Sequence, residues 1–188
     1  MVHHPEGASS AHGVRTAAVP MTAAEEQVHG PTTLRELLWE DESGRLLIME
    51  EYCRLIDTEV RARRGLRGAT LRAGYRAVQR VQPGIIGYVI GKFAADWLDA
   101  LEPFHRHAHE KAGLTHDVPS ALVEVLHTEE EAAAEALLSV TDQRIKKARI
   151  PVQIAYSSLR SEAANNVLAA MPAFAKLLGS QVARASAG

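Results

Sequence analysis

The chain of 188 residues is poor in cysteine, in aromatic residues and in long apolar runs. Its one cysteine, Cys53, excludes an internal disulfide and a metal site built from cysteines, and this usage favours a reducing, cytoplasmic compartment. The most apolar window, from Ile85 to Leu98, is interrupted by Lys92 and Asp96, whereas a membrane span needs about 20 apolar residues. No transmembrane helix is therefore predicted.

Motifs for the common enzyme classes are also missing. The sequence has no phosphate-binding Walker loop and no dinucleotide fingerprint. Cys53 lies on an apolar stripe, where a free cysteine usually acts as a small hydrophobic residue. The sequence thus favours a non-enzymatic protein without a resident cofactor, with a divalent metal as the alternative.

What is present indicates helices. Aromatic residues make up only 5% of the chain, and they are typical of strands, whereas alanine and arginine, both frequent here, favour helices. Apolar residues recur at three- and four-residue spacing from residue 34 onward. We predict an all-α, single-domain bundle of about six or seven helices, some kinked by proline.

The first 30 residues differ from the rest. They are rich in Gly, Ser, Ala, His and Pro and have no hydrophobic period, which predicts a disordered tail before an all-helical domain over residues 31–185. Met21 is an alternative to Met1 as the native start. Thr33 and Glu36 have the spacing of a capping box, and so do Thr128 and Glu131.

Glycines and prolines are predicted to separate the helices. We expect breaks or kinks at five places: Ser43-Gly44, Gly65-Leu66-Arg67-Gly68, Pro83-Gly84, Pro103 and Pro151. Gly87 and Gly91 lie four residues apart in the most hydrophobic helix. They predict a close helix approach, and packing within the bundle is favoured over a homo-oligomer contact.

Charge is separated into blocks although the net charge is only −2. The segment between Glu59 and Asp96 holds seven arginines and Lys92 without an acidic residue, and Asp117 to Asp142 holds seven acidic residues without a lysine or arginine. Arg72, Arg76 and Arg80 are spaced i, i+4, i+8, which places them in one stripe on a helix.

The stripe has two interpretations. Guanidinium groups match phosphate oxygens, so an anion-binding surface is predicted from five cations: Arg67, Arg72, Arg76, Arg80 and Lys92. Opposite charges within one chain more often satisfy each other, so the commoner alternative pairs the stripe with Glu129, Glu130, Glu131 and Glu135 or leaves it facing water.

Nucleic acid is a further candidate partner. Gly65-Leu66-Arg67-Gly68 has the GxxG form of one class of RNA-binding loop, and Pro83 to Gly87 is similar to the hairpin of helix-hairpin-helix modules. The first class needs a β-sheet that is not predicted here, and the second has one fewer residue between its glycines. The near-neutral net charge also argues against a dedicated nucleic-acid protein.

Histidines form the other candidate site. His105 and His109 are spaced i, i+4 and are able to chelate a metal from one helix face, with Glu110 or His116 as a third ligand. Arg106 beside them opposes a cation. A buried or interfacial histidine is the commoner outcome for His105.

Three stretches resemble a family of small helical actinobacterial proteins without an assigned activity. The similar segments are residues 65–78 closing at Pro83-Gly84-Ile85, residues 136–142, and Tyr156-Ser157-Ser158-Leu159-Arg160. The resemblance extends over most of Thr32 to Leu178 and implies a helical cytoplasmic protein. The histidine cluster is not part of the pattern.

These observations favour a non-enzymatic binding or assembly protein whose arginine stripe meets an anionic partner, either a protein or a ligand. The alternatives are a metal-binding, even catalytic, helical protein centred on His105 and His109, and peripheral association with an anionic membrane through the basic helix and the apolar run after it.

Overall fold

The computed structural model describes residues 32–147 and 149–187, apart from the side chains of residues 151, 152, 155 and 158. The predicted tail over residues 1–30 and the choice between Met1 and Met21 lie outside the described residues. Within these ranges the chain forms helices and no strand. The helices are α1 (Leu34–Trp39), α2 (Glu42–Ala62), α3 (Gly65–Val81), α4 (Ile85–Ala112), a 3₁₀ turn (Gly113–Thr115), α5 (Val118–Thr128), α6 (Glu130–Ile145) and α7 (Ile150–Ser186).

The all-α prediction is therefore confirmed, and so is the expected number of helices. The α4 helix lies at the centre of the bundle, as its hydrophobicity predicted, and it contacts every other helix except α7. Its apolar face is fully buried at Ile90, Ala94, Leu98 and Leu101. The α7 helix closes the bundle by packing along α5 and α6. None of the described helices is long and apolar enough to cross a membrane.

The start of α1 follows its capping signal. The Thr33 side chain accepts a hydrogen bond from the backbone N–H of Glu36, while the Glu36 carboxylate accepts one from the Thr33 backbone N–H. The Leu34 N–H donates to Glu102 Oε2 of α4 at 2.9 Å, which ties the helix start to the central helix. The first capping-box prediction is confirmed.

Pro103 does not divide its helix as expected, because it lies inside the continuous α4 helix and no separate short helix follows it. Pro151 lies in the first turn of α7, so the expected break between α6 and α7 is confirmed. Pro172 lies inside α7, a helix of 37 residues. Pro103 and Pro172 are exposed, so water satisfies the carbonyls they release while packing on the buried face keeps each helix continuous.

One glycine break and one capping box are also displaced. Gly44 lies in the first turn of α2, where its N–H donates to the side chain of the N-cap residue Asp41. The second predicted capping box is wrong, because the Thr128 hydroxyl donates to the Glu124 carbonyl of its own helix. The α2 helix thus starts before Ser43-Gly44, with Asp41 as its N-cap residue, and α6 starts one residue later than predicted, with Glu129 in place of Thr128.

The predicted close approach of Gly87 and Gly91 occurs inside the bundle. A Cβ at Gly87 would lie 3.8 Å from Cys53 Sγ, and one at Gly91 would lie 3.3 Å from Met49 Cε, so both glycines face α2. The interpretation as intramolecular packing is confirmed. Gly179 makes a tighter approach that the sequence did not reveal, since a Cβ there would lie 2.5 Å from Val123 Cγ2 of α5.

Candidate functional site

The α3 helix starts with the segment predicted to be a loop. Gly65 has φ +73°, and the helix runs from it, so Gly65-Leu66-Arg67-Gly68 is the first helical turn and not a phosphate-gripping loop. Gly68 is required by packing, because a Cβ there would lie 2.5 Å from the carbonyl oxygen of Arg63. Gly68 is also the only described residue of α3 that is buried. The rest of this helix is half-buried or exposed.

The structure divides the arginine stripe by role. Arg72 Nη1 donates to the carbonyl of Arg63, the residue that caps the end of α2, so this guanidinium joins α3 to α2. Arg76 Nε donates to the Arg72 carbonyl at 3.3 Å within its own helix, and Arg76 and Arg80 are exposed. Arg72 is therefore a structural residue as much as a candidate ligand contact.

No carboxylate pairs with any of the five candidate cations within the described residues. Arg67 is exposed, and Lys92 Nζ lies 5.7 Å from the ring centroid of Tyr88 in the same helix. We call the set Arg67, Arg72, Arg76, Arg80 and Lys92 the basic surface. Its members lie on α3 and on the second turn of α4.

The acidic block contacts other partners. Glu135 and Asp142 both bind Arg160 of α7, at 2.7 and 3.0 Å, and Glu129 contacts His107 Nδ1 at 2.7 Å. Pairing between the arginine stripe and the acidic segment is thus not found in the described part of the chain. The other form of that alternative, in which the arginine stripe faces water, agrees with the exposure of Arg76 and Arg80.

Apolar side chains are exposed around the basic surface. Leu66 is 90% exposed, Val81 87% and Tyr88 60%. The first two lie at the two ends of α3, and Tyr88 lies one turn into α4. At the turn between the helices Gly84 has φ +79°, a conformation that glycine adopts without strain. Exposed cations and exposed apolar side chains therefore both occur on α3 and on the first two turns of α4.

The histidine cluster is only partly assembled. His105 is buried, with its ring centroid 4.6 Å from that of His109 and its Nδ1 3.6 Å from Glu102 Oε2. His116 is exposed after the 3₁₀ turn, at φ 53°. Among the described residues no group of three His, Cys, Asp or Glu side chains is arranged to hold a metal. Burial lowers the pKa of His105, against the opposing charge of Glu102, so its ring is held neutral.

Cys53 matches its sequence interpretation. The thiol is half-buried, and burial followed by the charge of Asp57 raises its pKa. A raised pKa keeps the sulfur protonated, which opposes a role as a nucleophile or metal ligand.

A cavity of about 280 Å³ lies between α2, α4, α6 and α7, with Leu71 of α3 at its edge. The walls are almost entirely apolar, with Ile56, Leu138, Met171 and Phe174 among the residues that line them. Cavities that bind small molecules are typically apolar with a few placed polar groups. The composition of this cavity fits that description.

Two residues that line the cavity, Tyr52 and Trp97, carry polar atoms that are buried. The Tyr52 hydroxyl and the Trp97 indole N–H are buried and have no hydrogen-bond partner among the described residues. Burial, and then the charge of Glu51, raises the pKa of Tyr52, so its hydroxyl keeps its proton. At the rim, Arg63 Nη2 lies 3.5 Å from Glu59 Oε2 and donates to the Asn166 carbonyl at 3.2 Å, so its charge is already satisfied.

Sequence reasoning missed this cavity. Its lining residues come from five helices far apart in sequence, and most of them taken singly are ordinary apolar positions. The one available signal was the presence of Tyr52 and Trp97 on apolar faces, since their polar atoms need partners when buried.

A family model described as Family of unknown function (DUF6918) matches residues 34–182. No curated protein and no solved structure gives a significant match.

Proposed function

The chain belongs to the family of unknown function DUF6918, which assigns it no activity, and we propose from its geometry that it is a non-enzymatic protein that docks reversibly on an anionic membrane through the basic surface. The family match agrees with the resemblance to uncharacterised helical proteins, while an actinobacterial source remains a prediction.

The observation that carries the proposal is the missing acidic partner. Several arginines elsewhere in the described bundle are paired, as Arg35 is with Asp99, Arg144 with Asp96 and Arg184 with Glu51. The basic surface instead concentrates five cations that meet no carboxylate among the described residues, on a stretch between Glu59 and Asp96 that holds no acidic residue. A concentration of unpaired cations attracts an anionic surface and is repelled by a basic one.

Exposed apolar side chains favour a membrane over a nucleic acid. Leu66, Val81 and Tyr88 project beside the cations, and such residues gain free energy when they enter the boundary between head groups and acyl chains. Nucleic-acid backbones offer no comparable apolar phase. Three alanines of α3, Ala69, Ala73 and Ala77, are exposed between Leu66 and Val81 at four-residue spacing, so they form a strip of small side chains along the helix.

The expected affinity is modest. Each Lys or Arg near an anionic surface contributes about 1 kcal/mol at physiological salt, so five cations contribute about 5 kcal/mol. That contribution and a few exposed aliphatic side chains give reversible association that depends on salt. This strength suits a peripheral protein.

Co-sedimentation with lipid vesicles tests the proposal. Wild-type protein is expected to sediment with phosphatidylglycerol vesicles and not with phosphatidylcholine vesicles. The variant Arg67→Gln/Arg76→Gln/Arg80→Gln leaves Arg72 in its structural role and should lower partitioning by about a hundredfold, since about 3 kcal/mol is removed.

The matched control changes the same charge elsewhere. Lys146→Gln/Lys147→Gln/Arg149→Gln alters three exposed cations at the turn between α6 and α7, and it should retain vesicle binding. Equal loss in both triple variants would mean that only net charge matters. Binding to a DNA or RNA duplex by fluorescence anisotropy, without binding to vesicles, would overturn the membrane assignment in favour of nucleic acid.

A further inference from the structure

The cavity between α2, α6 and α7 is elongated, and its two ends differ in polarity. Its lining on α2 extends from Tyr52 to Arg63, which lie about 16 Å apart along the helix axis at about 1.5 Å per residue. At one end, the ring of Tyr52 contacts the ring of Phe174 with centroids 5.6 Å apart. At the other end, Arg63 Nη2 donates to the Asn166 carbonyl at 3.2 Å. The first end is aromatic and buried, and the second is polar.

The wall along α2 is incompletely covered. Leu55, Ile56 and Val60 line the cavity and are half-buried, so the cavity is reached from solvent on this side. The Tyr52 hydroxyl and the Trp97 indole N–H are buried and are not within reach of a ligand. The surface that a ligand contacts is therefore almost entirely apolar. Such a surface holds water poorly, and covering it with an alkyl chain is favourable.

The volume of the cavity limits the size of its occupant. The cavity measures about 280 Å³. A water molecule takes about 30 Å³ in the liquid and a methylene group fills a similar space, so the cavity holds about nine or ten carbons. Its length accommodates an extended chain of that size. A phospholipid with two long acyl chains does not fit, so the occupant is a molecule with one alkyl chain.

Unpaired cations follow the polar end of the cavity. Arg64 and Arg67 come after Arg63, at the start of α3. Both are exposed, and they meet no carboxylate among the described residues. Arg67 lies one helical turn before Leu71, on the same side of α3, and Leu71 lines the cavity. The two guanidinium groups attract an anionic head group to this end, and a carboxylate matches their planar geometry.

We propose that the cavity binds one single-chain alkyl carboxylate of about ten carbons, with its chain between α2, α6 and α7 and its carboxylate beside Arg64 and Arg67. The terminal methyl group lies toward the contact of Tyr52 with Phe174, because that end is apolar and buried. Met171 adapts to the outline of the chain, since methionine side chains are flexible. The proposal does not rest on membrane docking, because the ligand is taken up from solution, and Arg67 is the one residue that belongs to both sites.

A series of sodium alkanoates tests the size of the site on the full-length protein. Isothermal titration calorimetry below the micelle concentration is expected to show saturable one-to-one binding of decanoate. From hexanoate to decanoate each added methylene should raise the affinity by about fourfold, and dodecanoate and tetradecanoate should give no further gain, because the cavity is then full. Absence of saturable binding, or an affinity that keeps rising at the same rate to tetradecanoate, would overturn the site.

Filling the cavity tests where the chain binds. Ala170 is half-buried and lines the cavity, so Ala170→Leu should lower the decanoate affinity by about tenfold or more and shorten the best-binding alkanoate by about two carbons. Thr141→Leu fills the cavity from α6, and it decides the question if Ala170→Leu fails to fold. Ala169→Leu is the matched control, because Ala169 is exposed in the same helix outside the lining. A decanoate affinity equal to wild type in a folded filling variant would contradict binding in this cavity.

The position of the head group has its own test. Arg64→Gln/Arg67→Gln should lower the decanoate affinity by about fivefold and leave the affinity for decan-1-ol, which has the same chain without the charge, unchanged. Arg76→Gln/Arg80→Gln removes the same charge from elsewhere on α3. This control should weaken vesicle binding and leave decanoate binding unchanged, which separates the two sites. A loss of decanoate affinity of equal size in both double variants, or in neither, would show that the carboxylate does not lie beside Arg64 and Arg67.

Discussion

The ring of Tyr52 in α2 meets the ring of Phe174 in α7 edge to face, with centroids 5.6 Å apart and an interplanar angle of 66°. This contact fixes the ring by apolar packing and leaves the hydroxyl buried without a partner among the described residues. Two half-buried tyrosines differ from the buried Tyr52, because Tyr75 donates to Asp57 and Tyr156 donates to Asp142. Tyr52 alone of the three pairs its ring but not its hydroxyl.

Tyr52→Phe should therefore leave the free energy of unfolding unchanged or raise it by up to about 1 kcal/mol. The substitution removes an unsatisfied polar atom and keeps the edge-to-face contact with Phe174. Urea denaturation followed by circular dichroism measures it. Tyr156→Phe is the matched control and should lower stability by about 1–2 kcal/mol, because its hydroxyl donates to Asp142 at 2.6 Å. A larger loss for Tyr52→Phe than for the control would contradict the assignment of an unpaired hydroxyl.

Asp142 should govern part of the acid sensitivity of the fold. Burial by itself raises the pKa of this carboxyl, but hydrogen bonds from Arg160 and Tyr156 outweigh it and the net pKa is lowered. A lowered folded-state pKa means that the stabilisation is complete above the unfolded value of about 3.9 and is lost as the pH falls below it toward the folded value.

Asp142→Asn tests this through the pH dependence of unfolding. At pH 7 the variant should be less stable by about 2–3 kcal/mol, because a charged acceptor shared by α6 and α7 becomes neutral. The difference from wild type should shrink as the pH falls below about 4. A difference that stays constant down to pH 2 would show that Asp142 titrates normally in the folded protein.

Arg72 should affect stability where Arg80 does not. The Arg72 guanidinium donates to the carbonyl of Arg63 at the end of α2, where a cation also meets the negative end of the helix dipole. Arg72→Gln is expected to cost about 1 kcal/mol in thermal or chemical unfolding, and Arg80→Gln close to nothing. Equal effects of the two substitutions on stability would show that the contact of Arg72 with the Arg63 carbonyl does not stabilise the fold.

Apolar insertion should be separable from charge attraction at the membrane. Leu66→Ser/Val81→Ser keeps every cation of the basic surface and alters two side chains that are about nine-tenths exposed. We expect weaker partitioning into phosphatidylglycerol vesicles and an unchanged melting temperature. Partitioning equal to wild type would reduce the interaction to electrostatics, and it would then disappear entirely at high salt.

Gly179→Ala should destabilise the contact between α5 and α7. The added Cβ would lie 2.5 Å from Val123 Cγ2 and 3.1 Å from the Pro119 carbonyl oxygen, so the helices must move apart at a cost of about 1–3 kcal/mol. Gly74→Ala is the control, since no atom lies within 4 Å of a Cβ built there. That change in the exposed interior of α3 should stabilise by about 0.5–1 kcal/mol. Urea denaturation of both variants compares the two signs.

Much of the fold could be predicted because the ends and the buried face of a helix are specified by residues that are close together in the sequence. The capping box at Thr33, the apolar stripe of α4 and the packing role of Gly87 and Gly91 all depend on residues within a few turns of each other. The predictions that were wrong are those in which packing between helices overrides the local preference of a residue. Pro103 has a strong local preference to interrupt a helix, but the buried face of α4 holds the helix through it.

The sequence by itself determined that this protein is helical, that its charges are separated into blocks, and that Arg72, Arg76 and Arg80 share one helix, because each of these depends on composition or on spacing along one helix. Only the tertiary structure decided which charges meet. It joined the acidic block to Arg160 and His107, turned Arg72 toward α2 and brought Tyr52 and Trp97 to one cavity. Those relations depend on how distant helices pack, and spacing along the chain does not encode them.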